Sequence, residues 1–247
     1  MQQRFLFFIP LLLLLNACWQ KKPIATHYVG AQSIAINNVI SDSTNNALPL
    51  LNTYRAAMNK TMDVVIGVAD VELKKDKPNG TLGSMVADAM LMKAKQMDAA
   101  CVIAISNYGG IRIPSLPKGN LTLGKIYELM PFENTLSIVP LSGYYLDTLC
   151  QKMARSGGMP ISGLTFGINN NKAVNIKING EALDFSKSYK TCVNSYMASG
   201  GDECEFMIAL PKQSTTVLIR DAILAFINMQ NTNKQSLVIE PIQRITH

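Results

Sequence analysis

The period of apolar positions changes several times along the chain, and each change predicts a new element. Apolar residues recur at helical spacing in three long stretches, 47–60, 81–97 and 142–158. Runs of apolar and β-branched residues predict strands at 62–73, 100–105 and 135–141. A shorter helix is expected over 120–130, because Thr122 can cap its first turn and Pro131 follows its last.

The second half of the chain mixes strands and helices in the same way. Asn179-Gly180 separates two alternating segments, a pattern typical of a β-hairpin. We expect a strand over 189–197, a helix over 215–229 and a terminal strand over 236–245. Residues 28–40 also alternate like a strand. No regular βαβ rhythm is present, so the sequence predicts an α+β fold, a single compact mixed-sheet domain.

The first residues have the pattern of an export signal. Arg4 precedes an apolar run from Phe5 to Leu15, which is short for a bilayer span and suits a secretory signal. The run ends in LNAC, residues 15–18, which resembles a bacterial lipobox with Cys18 as the lipid-modified residue. The alternative is an uncleaved anchor helix with an incidental cysteine. The prediction is a lipoprotein signal peptide over 1–17, a tether over 18–27 and a domain over 28–247, anchored on the periplasmic or cell-surface side of a bacterial membrane.

Composition excludes several classes of protein. The formal net charge is +6, but the lysines and arginines are dispersed and form no stripe interleaved with aromatic residues, so we expect no nucleic acid as partner. Cys101, Cys150, Cys192 and Cys204 show no disulfide framework or CxxC motif, and buried thiols are the favoured interpretation. The only histidines are His27 and His247, near opposite ends, so no metal site is expected in this chain.

Three loops carry small and polar residues where a strand or helix ends. They are SNYGGIR (106–112), PFEN (131–134) and SYMASGGDE (195–203). Each loop alone is weak evidence for a binding site, because glycine pairs commonly make turns. Together they supply two aromatic rings, two side-chain amides, an arginine and a carboxylate, which suits stacking a flat ring while hydrogen-bonding a sugar.

These motifs, with LGSMVADAM before them and NGEALD between them, occur in an order that resembles the C-terminal domain of the 5′-nucleotidase and UDP-sugar hydrolase family. The resemblance covers the chain from about residue 28 to its end. It implies the fold of that domain and a role in binding the nucleoside part of a nucleotide. Family members usually carry a separate N-terminal metallophosphatase domain with two catalytic metal ions.

The resemblance also implies a role for individual residues. Phe132 and Tyr196 match the aromatic positions that sandwich the base, with tyrosine where phenylalanine is usual. Asn107 matches a base-contacting asparagine, and Asn134 lies beside the first aromatic residue. Arg112 and Asp202 match positions that bind the ribose and neighbouring oxygens. Gly109, Gly110, Gly200 and Gly201 shape the loops. Two departures concern the phosphate side: the arginine often found in or just before the segment 78–84 is absent, with Lys77 nearby, and Glu203 follows Asp202 where glycine is commoner.

The hypothesis that follows is a nucleotide-recognition subunit of a 5′-nucleotidase, without catalytic residues or cofactors of its own. It belongs to a hydrolase family but is expected to be inactive alone. A separate metallophosphatase polypeptide with divalent metals would act on the bound nucleotide in catabolism or salvage. Two alternatives remain open: a stand-alone nucleoside-binding lipoprotein, and a degenerate domain kept as an interaction module.

Overall fold

The computed structural model describes residues 41–233, 236–239 and 241–247. Cys18 and the predicted signal, tether and first strand lie outside these residues. Contacts divide the chain into a unit up to Leu50 and a compact unit from Leu51 to His247. None of the helices in the described ranges is both long and apolar enough to span a bilayer.

The helices agree with most of the predicted stretches. They are α1 (Ser41–Met62), α2 (Thr81–Met97), α3 (Leu123–Leu129), α4 (Gly143–Arg155), α5 (Ser195–Ala198) and α6 (Ile219–Thr232), with a 3₁₀ turn at Glu205–Met207. Thr122 caps α3 as expected, since its hydroxyl accepts a hydrogen bond from the backbone N–H of Lys125.

The strands form two larger sheets and two small ones. The five-stranded sheet has the order β12-β6-β11-β3-β7, the four-stranded sheet β10-β9-β8-β13, and two pairs join β1 to β5 and β2 to β4. Their bounds are β1 (Val65–Ala69), β2 (Leu73–Lys74), β3 (Cys101–Ile105), β4 (Ser115–Leu116), β5 (Gly119–Thr122), β6 (Thr135–Ser142), β7 (Ile161–Ser162), β8 (Leu164–Asn169), β9 (Lys172–Ile178), β10 (Glu181–Ala182), β11 (Ser188–Asn194), β12 (Gln213–Leu218) and β13 (Ile245–Thr246). The mixture of parallel and antiparallel pairing confirms the α+β prediction.

The five-stranded sheet lies between two hydrophobic clusters. Along β6, Leu136 and Ile138 point to a cluster built with α2 and α6, whereas Val139 and Leu141 point to one built with α4 and β8. This alternation is the two-residue period of a strand buried on both faces. Among the described residues, Cys101, Cys150, Cys192 and Cys204 are buried free thiols within these clusters, in agreement with the favoured interpretation.

The hairpin prediction is confirmed in its details. β9 and β10 pair antiparallel with Ile178 opposite Glu181, so Asn179 and Gly180 are the whole turn. Both have positive φ, 49° and 89°, as a type I′ turn requires.

Four predictions were wrong in part. The strand expected over 62–73 is divided into β1 and β2, and Met62 is the last residue of α1. Residues 213–218 form strand β12 on the edge of β6, so the last long helix begins only at Ile219. The β-branched run TTV fits a sheet edge better than a helix. The spacing of apolar residues in the sequence did not distinguish a strand from a helix at these positions. The strand expected over 189–197 ends at Asn194, whose side chain starts helix α5. The terminal strand is reduced to β13 and a bridge from Leu237 to Ala69.

Helix α1 differs from expectation in another way. Leu51, Tyr54 and Met58, whose spacing predicted it, are each half or more exposed. The helical period was therefore correct, although these side chains lie outside the buried clusters.

Candidate functional site

Strand order brings the three polar loops singled out in the sequence to one edge of the five-stranded sheet. β3 and β11 are parallel neighbours, so their carboxyl ends, at Ile105 and Asn194, lie at the same edge. β6 runs antiparallel to β11, and its first residues reach that edge too, with Leu136 opposite Asn194. The loops 106–112, 131–134 and 195–203 therefore meet, although they are far apart in sequence.

A cleft of about 310 Å³ lies between these loops. It is lined by residues that the sequence had singled out: Asn107, Gly109, Gly110, Phe132, Asn134, Tyr196 and Asp202. Two larger surface grooves elsewhere lack this combination. One contains a single aromatic residue, Tyr189, and the other has none.

Two aromatic rings in this cleft are half-exposed. Phe132 is 44% exposed and Tyr196 is 47% exposed, although both belong to a well-packed domain. The Arg112 guanidinium lies 5.6 Å from the centre of the Phe132 ring, in cation–π range. Half-exposed aromatic rings at a concave surface offer apolar area to a flat ligand without unfolding any element.

A buried amide fixes the floor of the cleft. Asn107 is 7% exposed, and its Nδ2 donates a hydrogen bond of 2.7 Å to Oδ2 of Asp202. Its Oδ1 accepts a hydrogen bond of 2.9 Å from Nδ2 of Asn194. The Tyr196 hydroxyl lies 3.5 Å from the other Asp202 oxygen, a long contact at the limit of a hydrogen bond. Asn107 thus joins the first and third loops.

Glycine is required under the Tyr196 ring. A Cβ on Gly201 would lie 2.4 Å from Cζ of Tyr196, closer than any real contact allows. The next residue, Asp202, has a φ of 52°, a left-handed conformation that aspartate tolerates better than most residues. The SGGD turn therefore sets both the ring of Tyr196 and the direction of the carboxylate.

Three predicted residues do not line the cleft. Arg112 is exposed at its rim, over Phe132, and its guanidinium also contacts the carbonyl of Gly109 at 3.4 Å. Gly201 lies behind the Tyr196 ring. Gly200 has a φ of 98°, and a Cβ there would meet Ile208 rather than the cleft. Gly200 and Gly201 lie behind the wall of the cleft, and neither is itself a lining residue.

The structure places Lys77 away from the cleft-lining residues. Its ammonium donates to the carbonyl of Ser156 and lies 5.5 Å from the centre of the Tyr108 ring. Burial is the main cause that raises the pKa of Tyr108 to about 12, with the nearby Asp76 carboxylate adding to it. Lys75 instead donates a hydrogen bond of 2.7 Å to the carbonyl of Ile111, next to Arg112.

Sequence reasoning missed two residues that support the site. Asn194 orients Asn107 and starts α5, and its position three residues before Met197 is the N-cap pattern that could have revealed it. Arg220 is 8% exposed, donates to the carbonyl of Met130 at 3.2 Å and stacks 4.1 Å from the centre of the Tyr127 ring. It holds the base of the PFEN loop, and no local signal marked it.

The chemistry available in this cleft is that of binding. Amide, carboxylate and aromatic groups converge there, which allows stacking together with hydrogen bonding. Within the ranges that the structure covers, no group of three or more His, Cys, Asp or Glu side chains gathers as a metal site would need.

The comparison with known proteins decides the family. Residues 59–209 match the family model described as 5′-nucleotidase, C-terminal domain. The chain belongs to this family. The match includes all three loops that form the cleft.

Relatives of this domain are longer proteins. The trifunctional nucleotide phosphoesterase protein YfkN of Bacillus subtilis is 32% identical over 173 residues, which are 62% of this chain and 12% of that protein. The 5′-nucleotidase of Vibrio parahaemolyticus is 29% identical over 165 residues, 63% of this chain and 28% of that protein. The crystal structure of a 5′-nucleotidase precursor from Thermus thermophilus superposes with a TM-score of 0.71 at 25% identity, over 82% of this chain and 43% of that one. This 5′-nucleotidase C-terminal domain thus spans less than half of each of these relatives.

Proposed function

We propose that this chain binds the nucleoside part of a nucleotide in the cleft between its three loops. The base would stack between Phe132 and Tyr196, with Asn107 and Asn134 beside its polar edge. Asp202 and Arg112 would contact the sugar and the oxygens next to it. The observation that carries the proposal is the convergence of two half-exposed rings, a buried amide and a carboxylate in one cleft.

The size of the cleft is compatible with this ligand. Its volume of about 310 Å³ is at the lower end of the range for small-molecule sites. Stacking of a base on an aromatic side chain contributes about 1–3 kcal/mol and tolerates every base. The rings would therefore supply affinity, and the polar groups would supply orientation.

We propose further that a separate metallophosphatase polypeptide cleaves the bound nucleotide. The support is that the relatives named as nucleotidases or a phosphoesterase contain a large part that this chain does not match. The two histidines of the sequence, His27 and His247, also provide few metal ligands. Binding the base at a distance from the phosphate would help to orient the reacting group on the partner's metals.

The setting that fits this role is outside the inner membrane. We propose that Cys18 is lipidated and tethers the domain there, on the strength of the LNAC motif after Phe5–Leu15. Mass spectrometry of the mature N-terminus tests this directly. A Cys18→Ser variant should leave the membrane fraction, and its retention there would contradict lipid anchoring.

Binding is tested by calorimetry with adenosine, uridine and their monophosphates. We expect Phe132→Ala or Tyr196→Ala to weaken binding about tenfold or more, because each removes one stacking surface. Phe185→Ala is the matched control, since Phe185 is 61% exposed and does not line the cleft. No heat with any of these ligands would contradict nucleoside binding and favour an interaction module.

Catalysis is tested by phosphate release from AMP. The purified chain is expected to release none, and a metallophosphatase polypeptide that co-purifies with it should restore release. Robust hydrolysis by the chain alone would contradict the proposal that a separate polypeptide cleaves the nucleotide. Binding of nucleosides without any such partner in the cell would favour the stand-alone binding lipoprotein.

A further inference from the structure

Asn194 is a buried polar residue behind the cleft wall, and both polar atoms of its side chain make hydrogen bonds. It is 1% exposed at the end of β11. Its Oδ1 accepts a hydrogen bond of 2.7 Å from the backbone N–H of Met197, and its Nδ2 donates to Oδ1 of Asn107 at 2.9 Å. The first contact fixes which end of the Asn194 amide faces Asn107.

The hydrogen bonds that follow run in one direction. Because Asn194 presents N–H to Asn107, the Asn107 amide must turn its oxygen to Asn194 and its N–H to Asp202. Asp202 receives that N–H at 2.7 Å on Oδ2, while its Oδ1 lies on the side of the Tyr196 hydroxyl. The backbone of α5 thereby dictates the orientation of a carboxylate in the cleft.

We propose that Asn194 is a positioning residue for ligand recognition, holding the Asp202 carboxylate through Asn107 as a fixed hydrogen-bond acceptor in the cleft wall. This inference rests on the proposed function for its ligand. A carboxylate that is held in place and can only accept hydrogen bonds favours ligands that offer hydroxyl donors. The cleft should therefore prefer a ribonucleoside, with its vicinal hydroxyls, to one that lacks both.

Two substitutions can reverse the donor-to-acceptor direction of the hydrogen bonds that join Asn194, Asn107 and Asp202, while the side chains keep nearly the same shape. In Asn194→Asp the new carboxylate still accepts from the Met197 N–H but faces the Asn107 oxygen. Turning the Asn107 amide over would only move the clash between two acceptors to Asp202. Adding Asp202→Asn supplies a donor at that end, so that every group has a partner again with the order reversed. Asparagine also tolerates the left-handed backbone at position 202.

The first experiment is a thermal-stability cycle on these variants. We expect Asn194→Asp to lower the melting temperature by roughly 5–10 °C, because it leaves buried acceptors facing each other. Asp202→Asn alone should change it little, since its amide can turn its oxygen toward Asn107. The double variant should recover most of the loss. Strictly additive effects would contradict a directed chain of hydrogen bonds. Asn169→Asp, at an exposed position, controls for the added negative charge.

The second experiment compares the binding of adenosine and 2′,3′-dideoxyadenosine by calorimetry. The wild-type protein should prefer adenosine by about tenfold or more, because hydrogen bonds to a charged group are strong. In Asn194→Asp the preference should fall to about twofold, although the stacking rings are untouched. In the double variant the fold is restored but the preference stays low, because the acceptor is no longer a carboxylate.

The outcomes separate this inference from the function on which it rests. A wild-type protein that binds neither nucleoside overturns the proposed function. A protein that prefers adenosine equally well with and without Asn194→Asp overturns the positioning role alone. A merely structural asparagine would change the melting temperature without changing the ratio of the two affinities.

Discussion

At the scale of single residues, the cleft depends on a few side chains whose surroundings allow only one choice. Tyr196 is the clearest case, because its ring lies directly against the backbone of Gly201. An aromatic ring held in this way keeps its face toward the cleft and loses little entropy when a ligand stacks on it. The loop sequence therefore determines a rigid surface rather than a mobile aromatic side chain.

Substitution of Gly201 tests this rigidity. Gly201→Ala would place a methyl group 2.4 Å from the ring, so the Tyr196 side chain must move away from its position in the wall. We expect adenosine binding to weaken by about tenfold, in proportion to the lost stacking. Titration calorimetry measures it.

Gly167→Ala is the comparison for Gly201→Ala. It adds a methyl group 3.1 Å from Val174, within β8 and β9, where none of the cleft residues lie. It should leave adenosine binding unchanged. Equal affinities for both glycine variants would show that the position of the ring does not matter.

The residue scale is also where sequence reasoning reached furthest. Motif resemblance singled out Phe132, Tyr196, Asn107 and Asp202, and the structure places all of them at one cleft. Asn194 and Arg220 could not be found in the same way. Their importance comes largely from partners far away in sequence; the N-cap contact with Met197 is a local signal for Asn194 only, and Arg220 has none.

At the scale of elements, an ion pair connects the end of α2 to the middle of the large sheet. Asp98 follows the last turn of α2, and one of its oxygens lies 2.5 Å from the Lys190 ammonium on β11. The hydrogen bond from Lys190 is the main cause that lowers the pKa of Asp98, and the backbone N–H of Ala100 adds to it. A helix end is thus fixed to the strand that carries Asn194.

This pair predicts part of the acid sensitivity of the fold. A carboxylate whose pKa is lowered on folding stabilises the folded state at pH values above its ordinary pKa. That contribution is lost as the pH falls from about 4 through the lowered value. Lys190→Met should therefore reduce the loss of melting temperature between about pH 5 and pH 3, as measured by circular dichroism.

Lys187→Met is the matched control for the acid experiment. Lys187 lies 3.6 Å from Asp184, but the pKa of Asp184 is lowered mainly by hydrogen bonds from Ser186, and the charge of Lys187 contributes less. Removal of the Lys187 charge should leave the pH dependence of the melting temperature nearly as in the wild type. If the two lysine variants respond alike, the Asp98 pair has no special part in acid unfolding.

Elements were predicted well where local chemistry decides them and poorly where tertiary pairing does. The Asn179-Gly180 turn and the Thr122 cap depend on neighbouring residues, so the sequence was sufficient. Strand β12 was mistaken for the start of a helix because its conformation comes from pairing with β6. The parallel pairing of β3 with β11, which builds the site, could not be read from either strand alone.

At the scale of the whole molecule, the packing of the two clusters buries four cysteines and is expected to make them unreactive. Cys101, Cys150, Cys192 and Cys204 are buried free thiols, and desolvation is the main cause that raises the pKa of each. A thiol reacts as its thiolate, so burial and a raised pKa act together against modification. The two hydrophobic clusters should therefore keep their four thiols reduced, without forming disulfides, in an oxidising environment.

Alkylation with iodoacetamide checks this at each position. In the native protein at about pH 8, near the ordinary thiol pKa, we expect these four residues to react far more slowly than in the unfolded chain. Peptide mass spectrometry distinguishes them from Cys18. Rapid native labelling of any one of the four would show that its cluster opens readily.

The hydrogen bonds under the cleft have a consequence for the order of folding events. Asn107 contacts Asn194 across 87 positions of the chain and Asp202 across 95. Contacts of such long range are slow to form, because the loop between them must close first. We therefore expect the cleft to form late in folding, so that a ligand does not bind the folding transition state. A bound nucleoside would leave the rate of folding unchanged and prolong the lifetime of the native state, because all of its stabilisation would appear as slower unfolding.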